Sequence, residues 1–577
     1  MDNLNVAIKS KTKRGVSWWD FVAISLIFWI FILIVNGAEY MYSPVPLNLD
    51  KPISLEFSNI PEYALRTTLR MFIGLAISIV FSVIYALLAA KVKRLERVLI
   101  SLLDILQSIP VLGYISFTVT GFIALFPNNI LGFELAVIFA IFTCQVWNIT
   151  YSIYQSIITL PKDLQDAAKM ARLNPVQKFF LVEFPYSIPS LVWNMMLSMS
   201  AAWFFVVASE AIIEGNQQYF LPGIGSYIAA AIYHQNIDAI IYAIGVMVVV
   251  IFLYDQFFFR PLVDWAEKFK YEKTYNPIGK KSWVYMLFTN SELVEIALKP
   301  FKKLYAFLIA APAKSHKLEL KKKPNRFALS KFWDFLWYAI IAAAGVHAFY
   351  HVYVYLAQHL KLSDVYETME LGLISTIRIV IMMIITIIIW LPISIYIGMR
   401  PKIAKIVQPL ALTFASFPAN LIFPLCVYYI SNHNLDPNIW LSFLLIFSMQ
   451  WYLVFNIVSG VSAMPDEIKT AAFNLQIKGI AWYRKILIPA ILPSFLVGAI
   501  TAWGSAWNAT IIVEFAEWGK TELIAKGLGA YITEATDMGE MAKIILGVAV
   551  MVFYVELFNR LLWRPIFNYA DKMERLK

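Results

Sequence analysis

Charge is scarce in this chain of 577 residues. Asp, Glu, Lys and Arg together make up 15% of it, where a soluble domain carries about 25%. With 60% hydrophobic residues and a mean hydropathy of +0.66, that scarcity excludes a disordered chain and argues against a soluble enzyme. Cysteine is almost absent. Cys144 and Cys426 both fall in apolar stretches, so no disulfide framework is implied. No GxxxxGK[ST] phosphate loop is present either. Pro277-Ile-Gly279-Lys280-Lys281-Ser282 has the Gly-Lys pair but no glycine five residues before it, so ATP hydrolysis is not expected in this chain. Histidine numbers six. His347 and His351 stand four apart with His359 beyond, but a further ligand and a counterpart in the first half are both missing, and no metal site is expected. No cluster of His, Asp and Glu and no nucleophile constellation marks a catalytic centre, which leaves no catalytic residue to name. The class that remains is an integral membrane protein. Its net charge of +10 is explained by basic cytoplasmic loops rather than by nucleic acid.

A bilayer span needs about 20 apolar residues. Apolar runs fall at 18–36, 67–90, 105–126, 131–153, 188–213 and 239–259, and again at 332–355, 374–399, 410–430, 439–458, 491–513 and 541–563. These are expected to be helices, because an isolated strand cannot satisfy its backbone in lipid. The runs also lack the apolar–polar alternation of a membrane β-barrel. Lys9, Lys11, Lys13 and Arg14 precede the apolar stretch 21–35 without a clear cleavage site, and this reads as an uncleaved first span. Basic residues crowd the N-terminal tail, 91–97, 161–184, 260–331, 400–405, 465–487 and 564–577. By contrast, 214–238 has no Lys or Arg, and 356–371 has only Lys361. One orientation fits every loop, with both termini cytoplasmic and six spans per half. The expected divisions are 1–260, a charged linker 261–331 with a membrane-surface helix near 292–311, and 332–577.

The halves repeat. Thr68-Leu69-Arg70 recurs as Thr376-Ile377-Arg378, and Ser108-Ile109-Pro110 as Ser416-Phe417-Pro418, both displaced by 308 residues. From the fourth span onward the displacement is 304. Trp147 matches Trp451, Trp203 matches Trp507, Glu210 matches Glu514, and Gly223-Ile-Gly225 matches Gly527-Leu-Gly529. A register held this long means two copies of one unit. The expected fold is an all-α polytopic membrane protein of about twelve transmembrane helices, arranged as two parallel six-helix repeats with pseudo-two-fold symmetry.

Between the fourth and fifth spans each half carries a polar helix–turn–helix, 160–190 and 464–494. Both have a leading Pro, early acidic residues, an Ala-Ala pair and a closing Pro at matching positions (Pro185, Pro489). This doubled element resembles the EAA coupling loop of type I ABC importer permeases. The later Glu210 and Gly223-Ile-Gly225, with Thr68-Leu69-Arg70, Asp104 and Pro110, resemble the nitrate/sulfonate/taurine/bicarbonate branch of that family. The resemblance covers both halves but not the linker. Two departures stand out. The family's Glu before Ala-Ala is Asp166 and Thr470 here. Its Gly four residues after the second Ala is Arg172 and Gln476 here, at a turn where glycine serves φ > 0.

The resemblance implies a permease driven by two cytoplasmic ABC ATPase subunits, which bind ATP and Mg, and fed by an extracytoplasmic substrate-binding protein. The setting it implies is a bacterial plasma (inner) membrane. The ATPases would be contacted through Asp166, Ala167, Ala168 and Arg172 and through Thr470, Ala471, Ala472 and Gln476. Pathway candidates are Arg70, Ser108, Pro110 and Glu210, with Arg378, Ser416, Pro418 and Glu514 in the second half. Intramembrane acids default to functional roles, although these two sit near span ends. The two arginines either snorkel to the interface or attract anions. The prolines of the third spans would break helices that line a pathway. The branch suggests an anion such as nitrate, bicarbonate or sulfonate as cargo, and an organic cofactor precursor stays open. An ion-coupled secondary transporter is the alternative, but few mid-membrane acids are present to couple it.

Overall fold

Every apolar run in the described residues folds as a helix, but not every run is a single helix. The computed structural model describes residues 52–270 (save 128 and 215–216), 282–291, a few positions between 296 and 306, 327–566 (save 465) and 570. The expected first span and most of the expected linker helix lie outside these residues. Among the described residues nine helices are long and apolar enough to cross a bilayer, and a bent pair makes up to ten.

In the first half α1 spans Ile60–Lys91, α2 Lys93–Ser108, α3 Val111–Leu125 and α4 Leu131–Ile158. A short helix α5, Lys162–Met170, precedes the long α6, Phe184–Ser209. Strands β1 (Ala211–Glu214) and β2 (Gln217–Phe220) then form an antiparallel hairpin, followed by α7 (Ile224–Tyr233) and α8 (Ile237–Tyr254). The second half opens with α9, Phe327–His359, and repeats the series. It comprises α10 Leu362–Gly398, α11 Pro401–Ser416, α12 Phe423–Asn432, α13 Leu444–Ser462, α14 Asp466–Asn474, α15 Ile488–Val513, β3 Phe515–Trp518, β4 Thr521–Ile524, α16 Leu528–Asp537 and α17 Met541–Phe558. Within each half the fourth span packs between the second and the fifth, α4 between α1 and α6, and α13 between α10 and α15.

The third spans are broken, as the prolines suggested. Ile109 and Phe417, each preceding a proline, take extended backbone (φ −79°, ψ 120° and φ −75°, ψ 124°). Proline's ring disfavours the helical region for its predecessor. In the second half the helices on either side of the break meet at 68°. The segments around the breaks cross to the other half: α3, after the first break, packs onto α15 and α17, and α11, before the second, packs onto α6.

Two expectations are corrected. The fifth span of the first half stops at Ser209, not 213, because Ala211-Ile212-Ile213 turns into the hairpin. Pro185 and Pro489 do not end the polar element. They lie in the first turn of α6 and α15, directly after the π turns Phe179–Glu183 and Tyr483–Leu487. A proline there sacrifices little backbone bonding, so the helix runs on into the bundle. A second pair of π turns, Asp255–Phe259 and Asn559–Trp563, falls at the same displacement of 304. No residue in the apolar window of α9 is buried, as suits a helix facing lipid. His347, His351 and His359 lie on it, and among the described residues no group of metal-ligating side chains forms.

Candidate functional site: buried carboxylate anchors, turn-capped helices and an interface cavity

Glu210 follows the last residue of α6 and is fully buried, facing the N-terminus of α7. Its carboxylate accepts from Gly225 N–H at 2.7 Å, from Thr67 Oγ1 at 2.7 Å and from Arg70 Nη1 at 2.7 Å. Thr67 Oγ1 in turn accepts Ile224 N–H at 3.0 Å. The free amides and dipole of a helix start are a natural anion seat. Arg70, 1% exposed, also donates from Nε and Nη2 to the two oxygens of Glu134 at 2.7 and 2.6 Å, and from Nη1 to Pro222 O at 3.0 Å. Arg70 is therefore saturated by the protein. It neither snorkels nor presents a free cation.

The glycine motif is explained by space rather than by dihedral angle. Gly223 has extended backbone, φ 178°. A Cβ there would sit 2.3 Å from Glu210 Cδ, and one on Gly225 would sit 2.2 Å from Val207 O. Only glycine lets the carboxylate reach the helix end.

The second half rebuilds the anchor. Glu514 accepts from Gly529 N–H at 2.7 Å, from Ser375 Oγ at 2.7 Å and from Arg378 Nη1. Ser375 Oγ accepts Leu528 N–H at 2.8 Å, and Arg378 Nη2 donates to Lys526 O at 3.0 Å. A Cβ on Gly527 would again meet the carboxylate at 2.3 Å. One partner is not repeated. Asn438 stands at the register of Glu134 and accepts Lys526 N–H at 2.9 Å instead. The first anchor thus holds one cation between two carboxylates, and the second holds one of each. Sequence reading missed Thr67, Ser375 and Glu134. The hydroxyls directly precede the repeated Thr-Leu/Ile-Arg, and Glu134 is an acid in an apolar run, so both signals were available.

At the opposite end of the bundle, α5 and α14 finish in the same way. Arg172 and Gln476 take φ of 50° and 53°, Leu173 N–H donates to Ala168 O at 3.1 Å, and Ile477 N–H donates to Ala472 O at 3.0 Å. This is the Schellman closure that normally favours glycine. Arg and Gln therefore keep the turn that a glycine would make, at a backbone cost. The Ala pairs split: Ala168 and Ala472 are buried, while Ala167 and Ala471 are exposed. Around them Met170 (80%), Leu475 (71%) and Ile480 (84%) also lie open. Asp166 pairs with Lys169 at 2.7 Å on the surface, a contact worth little. Thr470 lies on α14. Behind α5, the buried Glu183 accepts from Lys91 Nζ at 2.5 and 2.6 Å, with Lys178 at 3.2 Å. This ties the π turn to the end of α1. The second half has Met399 and Leu487 at those registers.

The halves meet around the helix breaks. Val111 N–H, freed by Pro110, donates to Asn508 Oδ1 of α15 at 2.8 Å. In the pseudo-symmetric place Asn420 Nδ2 donates to Phe204 O of α6 at 3.1 Å. Ser416 Oγ lies 2.6 Å from Ser200 Oγ and receives Tyr254 OH at 3.3 Å, and Pro418 is buried beside it. The side chain of Ser108 lies outside what is described, as does that of Asp104. Pro110 borders a cavity of about 170 Å³ between the halves, whose polar wall includes Gln107, Thr143, Asn148, Tyr452, Ser505 and Asn508. Among the described residues that line it, none is Lys, Arg, His, Asp or Glu. An apolar cluster of Val111, Leu112 and Phe205, with Ile511 and Ile512 packed against it, adjoins this cavity. A second cavity of about 210 Å³ lies beyond, bordered by Leu112, Ile115, Ile511 and Phe515. Of the pathway candidates whose side chains are described, Pro110 alone borders the polar cavity. The two Arg–Glu pairs are anchors beside the hairpins, and Ser416 with Pro418 forms the contact between the halves.

The family model for the binding-protein-dependent transport system inner membrane component matches residues 78–260 and again 388–564. The chain belongs to this family. It carries two permease units fused in one polypeptide. It is similar to the nitrate import permease protein NrtB of Synechocystis sp., at 25% identity over 201 residues, covering 34% of this chain and 68% of that one. It is also similar to the bicarbonate transport system permease protein CmpB of Synechocystis sp., at 29% identity over 109 residues, covering 19% and 37%. The bicarbonate permease protein CmpB of Synechococcus elongatus matches at 23% over 195 residues, covering 34% and 64%. The matches thus span between about a third and two thirds of these relatives. The family accounts for the all-α, doubled membrane fold and for the membrane transport role.

Proposed function

We propose that this permease is the complete membrane channel of an ATP-driven importer. Two cytoplasmic ABC ATPase subunits dock on α5 and α14, hydrolyse ATP with Mg, and draw those helices together. A substrate-binding protein delivers cargo at the hairpin end. Both termini are cytoplasmic, in a bacterial plasma membrane. The cargo is a small anion of the nitrate or bicarbonate kind, which is what the similar permeases are named for. The observation that carries the reading is the pair of short helices at one end of the bundle. They are matched in register and closed by the same left-handed turn at Arg172 and Gln476, with exposed apolar side chains beside an exposed alanine. Two such surfaces suit two ATPases. The π turns and the long α6 and α15 run to the cavity wall from just beyond the turns that close these helices, so motion at the docking end has only one turn to cross before it enters long helix.

The test is a mild-detergent pull-down of the tagged chain, with complexes weighed by native mass spectrometry. One chain with two ATPase copies is expected, and Ala167→Glu with Ala471→Glu should release them without unfolding the permease, since both sites are exposed. A permease that emerges with no ATPase would overturn the reading in favour of an ion-coupled carrier.

A further inference from the structure

Beyond α8 and its π turn the first half continues as a short helix, Arg260–Ala266, and the linker contributes a second, Trp283–Asn290. The two helices pack on each other. Ser282 N–H donates to Asp264 Oδ2 at 2.5 Å, which sets a carboxylate at the start of the linker helix, where its dipole favours one. Val284, Tyr285 and Leu287 are buried on the inner side, and Lys268 Nζ lies 5.3 Å from the centre of the Tyr285 ring. Arg260–Ala266 in turn braces the start of α6, where Ala266, Leu262 and Val263 meet Ile188 and Val192. The outer side of the linker helix is apolar and open. Trp283 is 49% and Met286 46% exposed, and their spacing of three puts them on one face. Trp283 meets Phe257 edge-on, with ring centres 5.4 Å apart. Phe257 continues the exposed apolar side of α8 formed by Val248, Val249, Phe252 and Leu253. A bilayer core takes about 20 helical residues, and from the start of α8 at Ile237 that length ends beside Phe257. Trp283 is therefore at the depth where hydrocarbon gives way to headgroups.

We propose that the start of the linker is a membrane-surface anchor for the first half. Trp283 and Met286 insert at the headgroup boundary of the leaflet at the α5 end, and Lys268 and Lys270 bind anionic phospholipid headgroups there. The occupant follows from continuity. The open face extends the lipid-facing side of α8 through Phe257, so the surface that covers α8 also covers Trp283. A soluble partner would have to reach a face whose aromatic neighbour stands at hydrocarbon depth. Tryptophan suits this boundary because its ring is apolar and its N–H is polar. The headgroup class follows from charge. Lys268 and Lys270 are both exposed and stand just beyond that boundary, and a lysine near an anionic surface shifts a binding equilibrium about fivefold. The anchor has a mechanical consequence. Arg260–Ala266 lies between the linker helix and α6, so an anchored linker holds the start of α6 at a fixed depth while α5 stays open to water. The proposal depends on neither the cargo nor the ATPases.

The test uses the full-length permease in nanodiscs made from an equal mixture of phosphatidylcholine and phosphatidylglycerol. Cys144→Ala and Cys426→Ala clear the background, and Met286→Cys carries a fluorescent label. Two quenchers report its depth, a lipid with a nitroxide near the headgroup and aqueous iodide. Lys169→Cys on the exposed side of α5 is the water control, and Val249→Cys on the open face of α8 is the lipid control. The label at 286 should be quenched by the nitroxide lipid and shielded from iodide relative to the water control. Trp283→Glu, at an exposed position that leaves the packed face intact, should bring it to the iodide quenching of the water control without changing the unfolding temperature. Replacing phosphatidylglycerol with phosphatidylcholine should raise iodide access. Lys268→Gln with Lys270→Gln should cut the preference for the anionic membrane about fivefold per lysine. Three results would overturn the proposal. One is iodide quenching at 286 equal to that at 169 in the parent protein. Another is lipid quenching that Trp283→Glu does not change. The third is indifference to phosphatidylglycerol in both the parent and the double lysine variant.

Discussion

Replacing Gly223 with alanine should unseat the first carboxylate anchor. The added Cβ would lie 2.3 Å from Glu210 Cδ and Oε2, so the carboxylate must retreat by about an ångström to reach ordinary van der Waals distance near 3.5 Å. Such a shift breaks the bonds from Gly225 N–H, Thr67 Oγ1 and Arg70 Nη1, each 2.7 Å long. Hydrogen bonds to charged groups are worth about 1.5–3 kcal/mol each. Their sum overstates the loss, because Glu134 still holds Arg70. Breaking a buried pair costs about 3–5 kcal/mol, and about 4 kcal/mol is the expected destabilisation. For a unit the size of the matched segment 78–260, at about 2 °C per kcal/mol, the unfolding temperature should fall by about 8 °C. Gly121 is the control, because a Cβ there meets nothing within 4 Å. Gly121→Ala should gain about 0.5–1 kcal/mol from helix propensity alone. Glu210→Asp, shorter by one bond of about 1.5 Å, should partly rescue Gly223→Ala. The assay is thermal unfolding of the purified permease in detergent, followed by monodispersity. Equal shifts for Gly223→Ala and Gly121→Ala, or no rescue by Glu210→Asp, would refute the steric argument.

Other consequences follow from the asymmetries between the halves. Arg172→Gly and Gln476→Gly should each stabilise by about 0.5–1 kcal/mol, since relief of the left-handed backbone exceeds glycine's entropy cost, a gain readable as a higher unfolding temperature. Lys91→Met alone should cost about 2 kcal/mol by stripping Glu183 of its nearer partner, whereas Lys91→Met with Glu183→Leu, which copies the Met399 and Leu487 of the second half, should be near neutral. Asp537, on α16 outside the spans, is pushed up to about 6 by burial and by Glu517, Glu522 and Glu534. Its proton is held more tightly in the folded state, so its penalty appears as pH rises from about 4 and is complete above 6. Asp537→Asn should therefore raise the unfolding temperature at pH 7.5 and leave it unchanged at pH 4.

Much of this architecture was legible because membrane physics leaves few choices. Apolar runs must be helices in lipid, and the doubled register showed two units before any helix was placed. The breaks at Ile109-Pro110 and Phe417-Pro418 were readable because proline constrains its predecessor. The role of the Glu and Gly-x-Gly positions was not. Glu210 and Gly223 are separated by a hairpin, and only the fold brings the carboxylate against the helix start. The same holds for Arg70, which looks available in sequence but is enclosed by Glu134 and Glu210. The split between Ala167 and Ala168 depends on which face of α5 meets the bundle, and a helix of nine residues shows too little periodicity to tell. The cavity wall draws on α2, α4, α6, α13 and α15, so no local motif could reveal it. Arg172 and Gln476 show the converse. Their side chains argued against the family's glycine turn, yet the backbone adopts it because the Schellman bonds outweigh the strain.

The most direct test of the central claim is uptake of nitrogen-15-labelled nitrate into proteoliposomes holding the permease with its co-purified ATPases and binding protein. The account predicts accumulation that requires ATP and Mg and is abolished by Ala167→Glu with Ala471→Glu. Accumulation that persists without ATP and follows an imposed proton or sodium gradient would contradict it.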